Sequence, residues 1–313
     1  MTDVRYTEIN TEEEGQRLDN YLIRILKGVP KSYIYRVIRG GEVRVNKKRA
    51  KPHMRLSAGD IIRIPPVRCA KDKAMSPGKH AAAQLTRAVI YEDEYFLVIN
   101  KPSGIAVHGG SGVSLGVIEA FRKMRPDLAY LELAHRLDKE TSGCLVLVKK
   151  RSILRMLQAL FETRDVNKRY WTVLARRWEE KPVVEVNVPL KKNILQSGER
   201  MVKVDETGKS AQTSFHLMEN YPQACWVEAR PGTGRTHQIR VHSAHLGHAI
   251  IGDEKYGDGF QVQCLDSLKS RLYLHAYAIE FTLKGKQYMF KAELDNTFKA
   301  ALAHLRLNGS IHE

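Results

Sequence analysis

The 313-residue chain reads as an α+β protein. A small basic module of helices and short strands is followed by a mixed, mainly antiparallel β-sheet domain of catalytic size with flanking helices. Three observations predict this. The length favours two domains over one core. The charge is lopsided: of a net +16, residues 15–66 hold 13 Lys and Arg against 3 Asp and Glu. From residue 85 onward, apolar strand-like runs alternate with helix-like stretches. Short connections such as Glu92-Asp93 favour hairpins over the long crossovers of a parallel sheet.

Leu18, Leu22, Ile25 and Leu26 make one apolar stripe at helical spacing, with Arg17 and Arg24 left for solvent or a ligand. After the break at Val29-Pro-Lys-Ser32, Ser32 is placed to cap a second helix, in which Ile34, Val37 and Ile38 face the core and Gly40 supplies the stop. Val43-Arg-Val45 alternates as a short strand before the Asn46-Lys-Lys-Arg49 turn, and Ile61, Ile62 and Ile64 close the module. Residues 67–84, with Pro77, Gly78, three consecutive alanines and dense charge, read as a linker. The larger domain, 85–313, then carries strands near residues 95–99, 144–148, 170–174 and 226–229 and helices near 114–124 and 152–161.

Hydrophobic residues at 43% suffice for a core, and no run approaches the roughly 18 to 20 apolar residues that cross a bilayer. The first residues lack the apolar stretch of a secretory signal and the Arg-rich pattern of a transit peptide, so a cytoplasmic, monomeric protein with no membrane partner is expected. Cys69, Cys144, Cys225 and Cys264 are scattered and read as reduced thiols outside any disulfide framework. The basic excess calls for a polyanionic partner, with nucleic acid first among the candidates.

Two regions could carry chemistry. In the basic module, Tyr35, Arg36 and Arg39 share a helix face beside a strand and turn bearing Arg44, Asn46 and Lys47, a surface suited to phosphates and unstacked bases. A solvated charged face is the plain alternative, and the concentration of charge favours RNA. In the larger domain, His135-Arg-Leu-Asp-Lys-Glu-Thr-Ser-Gly143 places Asp138 just before an apolar strand. A carboxylate there either caps the turn or, with an arginine near enough to keep it ionised, serves as a nucleophile. Gly234-Arg-Thr-His-Gln-Ile-Arg-Val-His242 follows a Pro-Gly-Thr turn and opens a helix running to Leu246 with Gly247 as its stop, and Arg240 sits within it.

These residues carry two resemblances. Gly15-Gln-Arg-Leu-Asp19, residues 32–40 and Gly41-Glu-Val-Arg-Val-Asn46 resemble the S4 RNA-binding module, a small αL fold named after a ribosomal protein, which implies a grip on RNA without specifying a reaction. The two motifs of the larger domain, with Lys168-Arg-Tyr170 and Asn100-Lys-Pro-Ser-Gly104, resemble the pseudouridine synthases of the family that includes the large-subunit ribosomal RNA enzymes, over nearly the whole chain. That resemblance implies uridine isomerisation without a cofactor, on 23S ribosomal RNA or a precursor ribosomal particle. It makes Asp138 the nucleophile, Arg240 the cation that holds it ionised, and Tyr170 the aromatic floor for the base and an aid in removing the carbon 5 proton. Attack at uracil carbon 6 and at ribose carbon 1′ both stay open. Arg136 would fill the space left by an extruded base or contact a phosphate, and both readings stand. Arg235 and His237 fall on the substrate side, with His237 orienting a neighbour through a ring N–H. Lys139 stands where the family more often has arginine, which keeps the charge and forgoes a bidentate grip on phosphate.

Other chemistries fit poorly. His237, His242, His245 and His248 have spacings of five, three and three, which do not set three imidazoles on one helix face for a metal. Gly109-Gly-Ser-Gly112 lacks the Lys-Ser/Thr of a P-loop, and no G-x-S-x-G elbow occurs. The rivals are an RNA-binding protein without activity, in which Asp138 is a turn residue, and a metal-dependent RNA hydrolase.

Overall fold

The stripe of Leu18, Leu22 and Leu26 is buried along the helix Leu18–Ile25, where it meets Ile34, Val37 and Ile38 of the helix Lys31–Arg39. A computed structural model of the chain describes residues 3–26, 28–67, 78–109, 115–194, 200–260, 262, 265 and 271–309. Most of the expected linker, Cys69, Cys264 and part of the glycine run 109–112 lie outside these residues. The chain divides into two compact units, Met1–Ser76 with Lys150–Ser152, and Pro77–Lys149 with Ile153–Glu313.

The first unit sets its two helices on a four-stranded antiparallel sheet, in the order Arg5–Glu8, Ile61–Ile64, Arg44–Val45, Lys48–Arg49. Arg5–Glu8 offers no apolar alternation, and its sequence does not predict a strand. It is recruited by register, with Tyr6 opposite Arg63. Two of the expected helix ends move. Pro30, whose ring presets φ, takes the cap position and leaves Ser32 inside the first turn. Gly40 stays right-handed, and Gly41 adopts the left-handed φ of +75° that ends the helix. Asn46 and Lys47 are also left-handed, the conformation of a two-residue hairpin turn.

The second unit is built on a ten-stranded sheet. Eight strands run in the order Val183–Val186, Thr213–Asn220, Ala224–Pro231, Asn167–Ala175, Leu274–Leu283, Ser142–Val148, Phe96–Lys101, Val89–Glu92. Lys286–Lys291 pairs with Leu274–Leu283, and Glu132–Leu133 with Ser142–Val148. One pairing is parallel, Leu274–Leu283 with Ser142–Val148, and the other pairings of this sheet are antiparallel, so the mixed, mainly antiparallel α+β class holds. A separate hairpin joins Leu190–Ile194 to Arg200–Val204.

All seven residues of Ser142–Val148 are buried, because both faces of this strand are covered. Cys144, Val146 and Val148 meet Ile153 and Leu157 of the helix Arg151–Thr163, while Leu145 and Leu147 meet Val117, Ile118 and Phe121 of the helix Val117–Met124. Phe298, Ala301, Leu302 and Leu305 of the helix Asn296–Gly309 cover Val173 and Tyr273. Residues 79–84 are no linker: the alanine run, the strongest of helix formers, lies in the helix Lys79–Arg87.

The parallel pairing needs a residue without a side chain. Gly143 has φ +109°, and a Cβ there would sit 2.3 Å from the Ala276 carbonyl oxygen. Gly143→Ala is expected to cost about 2 to 4 kcal/mol, read as a lower urea midpoint with an unchanged denaturant slope.

Candidate active site

Asp138 is placed by a loop that other parts of the chain hold from below. The Val146 N–H donates to His135 Nε2 at 3.2 Å, and the Ala134 N–H donates to the Val146 carbonyl, so the loop is laced to the central strand before it turns. Burial pushes the His135 imidazole down to about 4, which keeps Nε2 free as an acceptor. Beyond Asp138, the Lys139 carbonyl accepts from the Gly104 N–H and from the Lys101 ammonium at 3.0 Å. Lys101 is fully buried and donates as well to the carbonyls of Ile105 (2.8 Å) and Pro102 (3.0 Å), which uses all three of its protons. Burial lowers its pKa to about 7, against the pull of Glu140 and Asp138. Ser103 Oγ donates to the Glu140 carbonyl at 2.6 Å and closes the clamp.

Facing this loop, the strand Asn167–Ala175 presents Lys168 and Tyr170 to the cleft. Burial, with the Asp138 charge behind it, raises the Tyr170 phenol well above its ordinary range and keeps it protonated. Lys168, brought down to about 8 by burial, donates to the Thr233 carbonyl at 3.5 Å.

The third wall is the start of the helix Gln238–His245. Gln238 is buried and fastens the preceding turn: its Oε1 accepts from Thr233 Oγ1 and the Arg235 N–H, and its Nε2 donates to the Gln212 carbonyl and Thr213 Oγ1. Arg235 Nε donates to the Ser210 carbonyl. His237 has a left-handed backbone, φ +52°, just before the helix.

Arg240 departs from expectation. Its Nε and Nη2 reach the two carboxylate oxygens of Asp253 at 2.7 and 2.6 Å, and the pair is almost wholly buried. Arg240 is therefore engaged by Asp253, and Asp138 does not hold its guanidinium. The reason is geometric: a planar fork meets a carboxylate whose Oδ1 also accepts the N–H groups of Lys255 and Tyr256. Burial opposes the charge on Arg240, and Asp253, with Asp138 behind it, outweighs that effect and holds its pKa up. Asp138 itself is less buried than nucleophilic use suggests, with 35% of its side chain exposed.

Across the cleft, His237 Nε2 lies 3.8 Å from Asp138 Oδ2. Tyr256 fixes how that imidazole is presented. The Tyr256 hydroxyl oxygen accepts from the Val202 N–H at 3.0 Å and lies 2.7 Å from His237 Nδ1. When the phenol donates to Nδ1, the ring proton sits on Nε2, on the Asp138 side of the ring. Burial lowers the His237 pKa against the opposing charge of Asp138 and favours this neutral form. The Tyr256 ring also lies 5.1 Å from the Arg240 guanidinium.

Arg136, Asp138, Tyr170, Arg235, His237 and Arg240 thus all line one cavity of about 860 Å³. Arg136 is exposed at the cleft and forms no ion pair among the described residues. The remaining expected contacts belong to the first unit. Arg36, Arg39, Arg44, Asn46 and Lys47 line its outer surface there, while Tyr35 is half-buried and donates to Asp19. Asn46 spends its side chain on the turn, accepting from the Ile61 N–H and donating to Asp60. The histidines set aside as ligands are engaged: His242 bonds Thr213 Oγ1 and the Val188 carbonyl, and His248 bonds the Ala175 carbonyl and Glu180. Sequence reasoning misses Lys101, Asp253 and Tyr256. The signal for the last two is Gly252-Asp-Glu-Lys-Tyr-Gly257, an acid and an aromatic framed by glycines.

The buried pair generates a test. Asp253→Ala is expected to destabilise the protein by about 3 to 5 kcal/mol in urea unfolding, because it leaves a buried guanidinium unpaired. Arg240→Met combined with Asp253→Leu should cost less than the single change.

Comparison with known proteins follows this geometry. Residues 95–245 match the family described as RNA pseudouridylate synthase, and residues 16–62 match the S4 domain. The chain is 48% identical over 310 residues to the ribosomal large subunit pseudouridine synthase C of Haemophilus influenzae, covering 97% of this chain and 96% of the relative. It is 50% identical over 311 residues to the protein of that name from Salmonella typhimurium, covering 97% of each. Among solved structures, human RNA pseudouridylate synthase domain containing 4 aligns with a TM-score of 0.61 at 28% identity, covering 72% of this chain and 95% of that one.

Proposed function

The chain belongs to the RNA pseudouridylate synthase family and isomerises uridine to pseudouridine in large-subunit ribosomal RNA; from that premise we propose that Asp138 is the nucleophile and that Tyr170, His237 and Arg240 shape its site. The observation that carries this reading is the convergence of these four side chains on one cavity.

The reaction breaks the bond from carbon 1′ to N1 and forms one from carbon 1′ to carbon 5. Carbon 5 loses a proton and N1 gains one, so the RNA keeps its length and mass and the balance calls for no redox partner or donated group. Asp138 supplies the electron pair that assists departure of the base. It is suited to this because the Arg240 fork is committed to Asp253 and leaves the Asp138 oxygens without a bidentate partner. Arg240 still sets a positive potential in the cleft, where it favours an anionic nucleophile and the negative charge that develops on a departing uracil.

Tyr170 is the floor against which the base packs. The burial that keeps its phenol protonated makes it a poor proton acceptor, which favours the stacking role over removal of the carbon 5 proton. The His237 imidazole, held by Tyr256, lies 3.8 Å from the Asp138 carboxylate and walls it on that side without neutralising it. Arg136, with no ion pair among the described residues, suits either the gap left by an extruded uridine or the adjoining phosphate.

In the first unit, Arg36 and Arg39 lie over the rings of Tyr33 and Tyr35, at 4.5 and 5.8 Å, a pairing of cation and aromatic suited to RNA. A ribosomal RNA substrate supports a cytoplasmic site. Among the described residues no helix is long and apolar enough to cross a membrane.

Asp138→Asn should leave RNA binding intact and abolish tritium release from 5-tritiated uridine in RNA; release at the unsubstituted rate would end the assignment. Arg36→Ala with Arg39→Ala should weaken RNA binding and flatten the dependence of log affinity on log salt by about 0.7 to 0.9 for each phosphate that is no longer neutralised. An unchanged slope would place the grip elsewhere.

A further inference from the structure

Beyond one wall of the catalytic cleft lies a second cavity of about 510 Å³. The two share Arg164, Val166, Lys168, Pro231 and Gly232, so they adjoin along a common wall. Along Asn167–Ala175, Tyr170 serves the cleft, whereas Arg169 lines the second cavity alone. Arg169 lies over Tyr277, 5.8 Å from its ring centroid, and Tyr277 stacks on Trp171 at 3.6 Å, which anchors the Arg169 side chain beside an aromatic pair.

The lining is cationic. Arg164, Lys168, Arg169 and Arg230 face the space, with Glu280 as the one carboxylate among its lining residues. Arg230 is paired with Glu228, and Glu280 accepts from Gln287. Arg164 and Arg169 form no ion pair among the described residues. Arg164 follows the helix Arg151–Thr163 with φ +67°, in the position where a helix stop is usual. Met289, 45% exposed, adds an apolar and polarisable surface to the lining.

We propose that this cavity is a second nucleotide subsite, in which Arg164 and Arg169 hold the phosphodiester adjoining the target uridine while the base of the neighbouring nucleotide lies against Met289. Guanidinium forks match phosphate oxygens, and the volume falls within the range of small-molecule sites. Extruding a uridine into the cleft also splays the backbone beside it, which brings an adjacent phosphate to the shared wall. The proposal rests on the catalytic reading of the first cavity and adds a grip on the neighbouring nucleotide.

The test uses the full chain and three RNAs that carry the same 5-tritiated target uridine. One is complete, one ends immediately 5′ of the target and one immediately 3′ of it. For Arg164→Ala combined with Arg169→Ala, KM on the complete RNA should rise about tenfold with kcat unchanged. The penalty should vanish on one truncated RNA, which identifies the side that occupies the cavity, and Arg169→Lys should recover part of the loss. The salt slope of binding should fall by about 0.7 for each phosphate that the double variant no longer holds. Unchanged KM, an equal penalty on all three RNAs, or a fall in kcat with KM unmoved would each overturn the subsite. Binding measured on the same RNAs keeps the two readings apart: absence of tritium release from the unsubstituted protein defeats the catalytic assignment, whereas unchanged affinity in the double variant defeats the subsite.

Discussion

The bidentate pair between Arg240 and Asp253 sets the geometry on which the cleft depends. Taking two charges out of water is costly, and the cost is offset only when both are fully hydrogen-bonded. Asp253 meets that condition by also accepting the N–H groups of Lys255 and Tyr256. Satisfying the carboxylate therefore fixes the turn that carries Tyr256, and the Tyr256 hydroxyl in turn holds the His237 ring through Nδ1. The imidazole then faces Asp138 through Nε2. A single ion pair thus determines the environment of a carboxylate that it does not touch.

Asp138 is held by a different device. The Lys101 ammonium, shut away from water, must find acceptors for three protons, and it finds them in carbonyls on both sides of the cleft loop. Main-chain carbonyls are good partners here because they satisfy the cation without introducing a second carboxylate beside Asp138. Asp138 thus stands on a platform whose side chains are spent on the backbone, while its own carboxylate lines the cavity. Rigidity beneath and accessibility above are compatible because the two are assigned to separate residues.

Much of this is legible in the sequence, for identifiable reasons. The strands at 144–148 and 170–174 announce themselves because burial leaves an apolar run, and the helices of the first unit because burial on one face leaves a stripe. Arg5–Glu8 is illegible because an exposed edge strand is selected by its partner's register, not by its own side chains. Residues 79–84 mislead because proline and glycine mark a break that ends just before the alanines begin. Within the cleft, Asp138, Tyr170, His237 and Arg240 stand inside compact motifs. Asp253 lies thirteen positions beyond its partner, where spacing carries no signal, so the sequence pairs Arg240 with the acid that the motif already singles out.

The parallel pairing of Ser142 and Gly143 with His275 and Ala276 has a consequence for how the molecule comes into being. The Ser142 hydroxyl meets His275 across 133 positions of chain, and the Arg271 guanidinium joins the same hydrogen-bonded group. Contacts so distant in sequence close late, since the loop entropy must be overcome before they return anything. During synthesis the strand that follows Asp138 emerges well before its neighbour at 274–283, and until that neighbour arrives one edge of it is bare. The fold around Asp138 is therefore closed by a segment made more than a hundred residues after it, and that strand stays open on one side until the segment arrives.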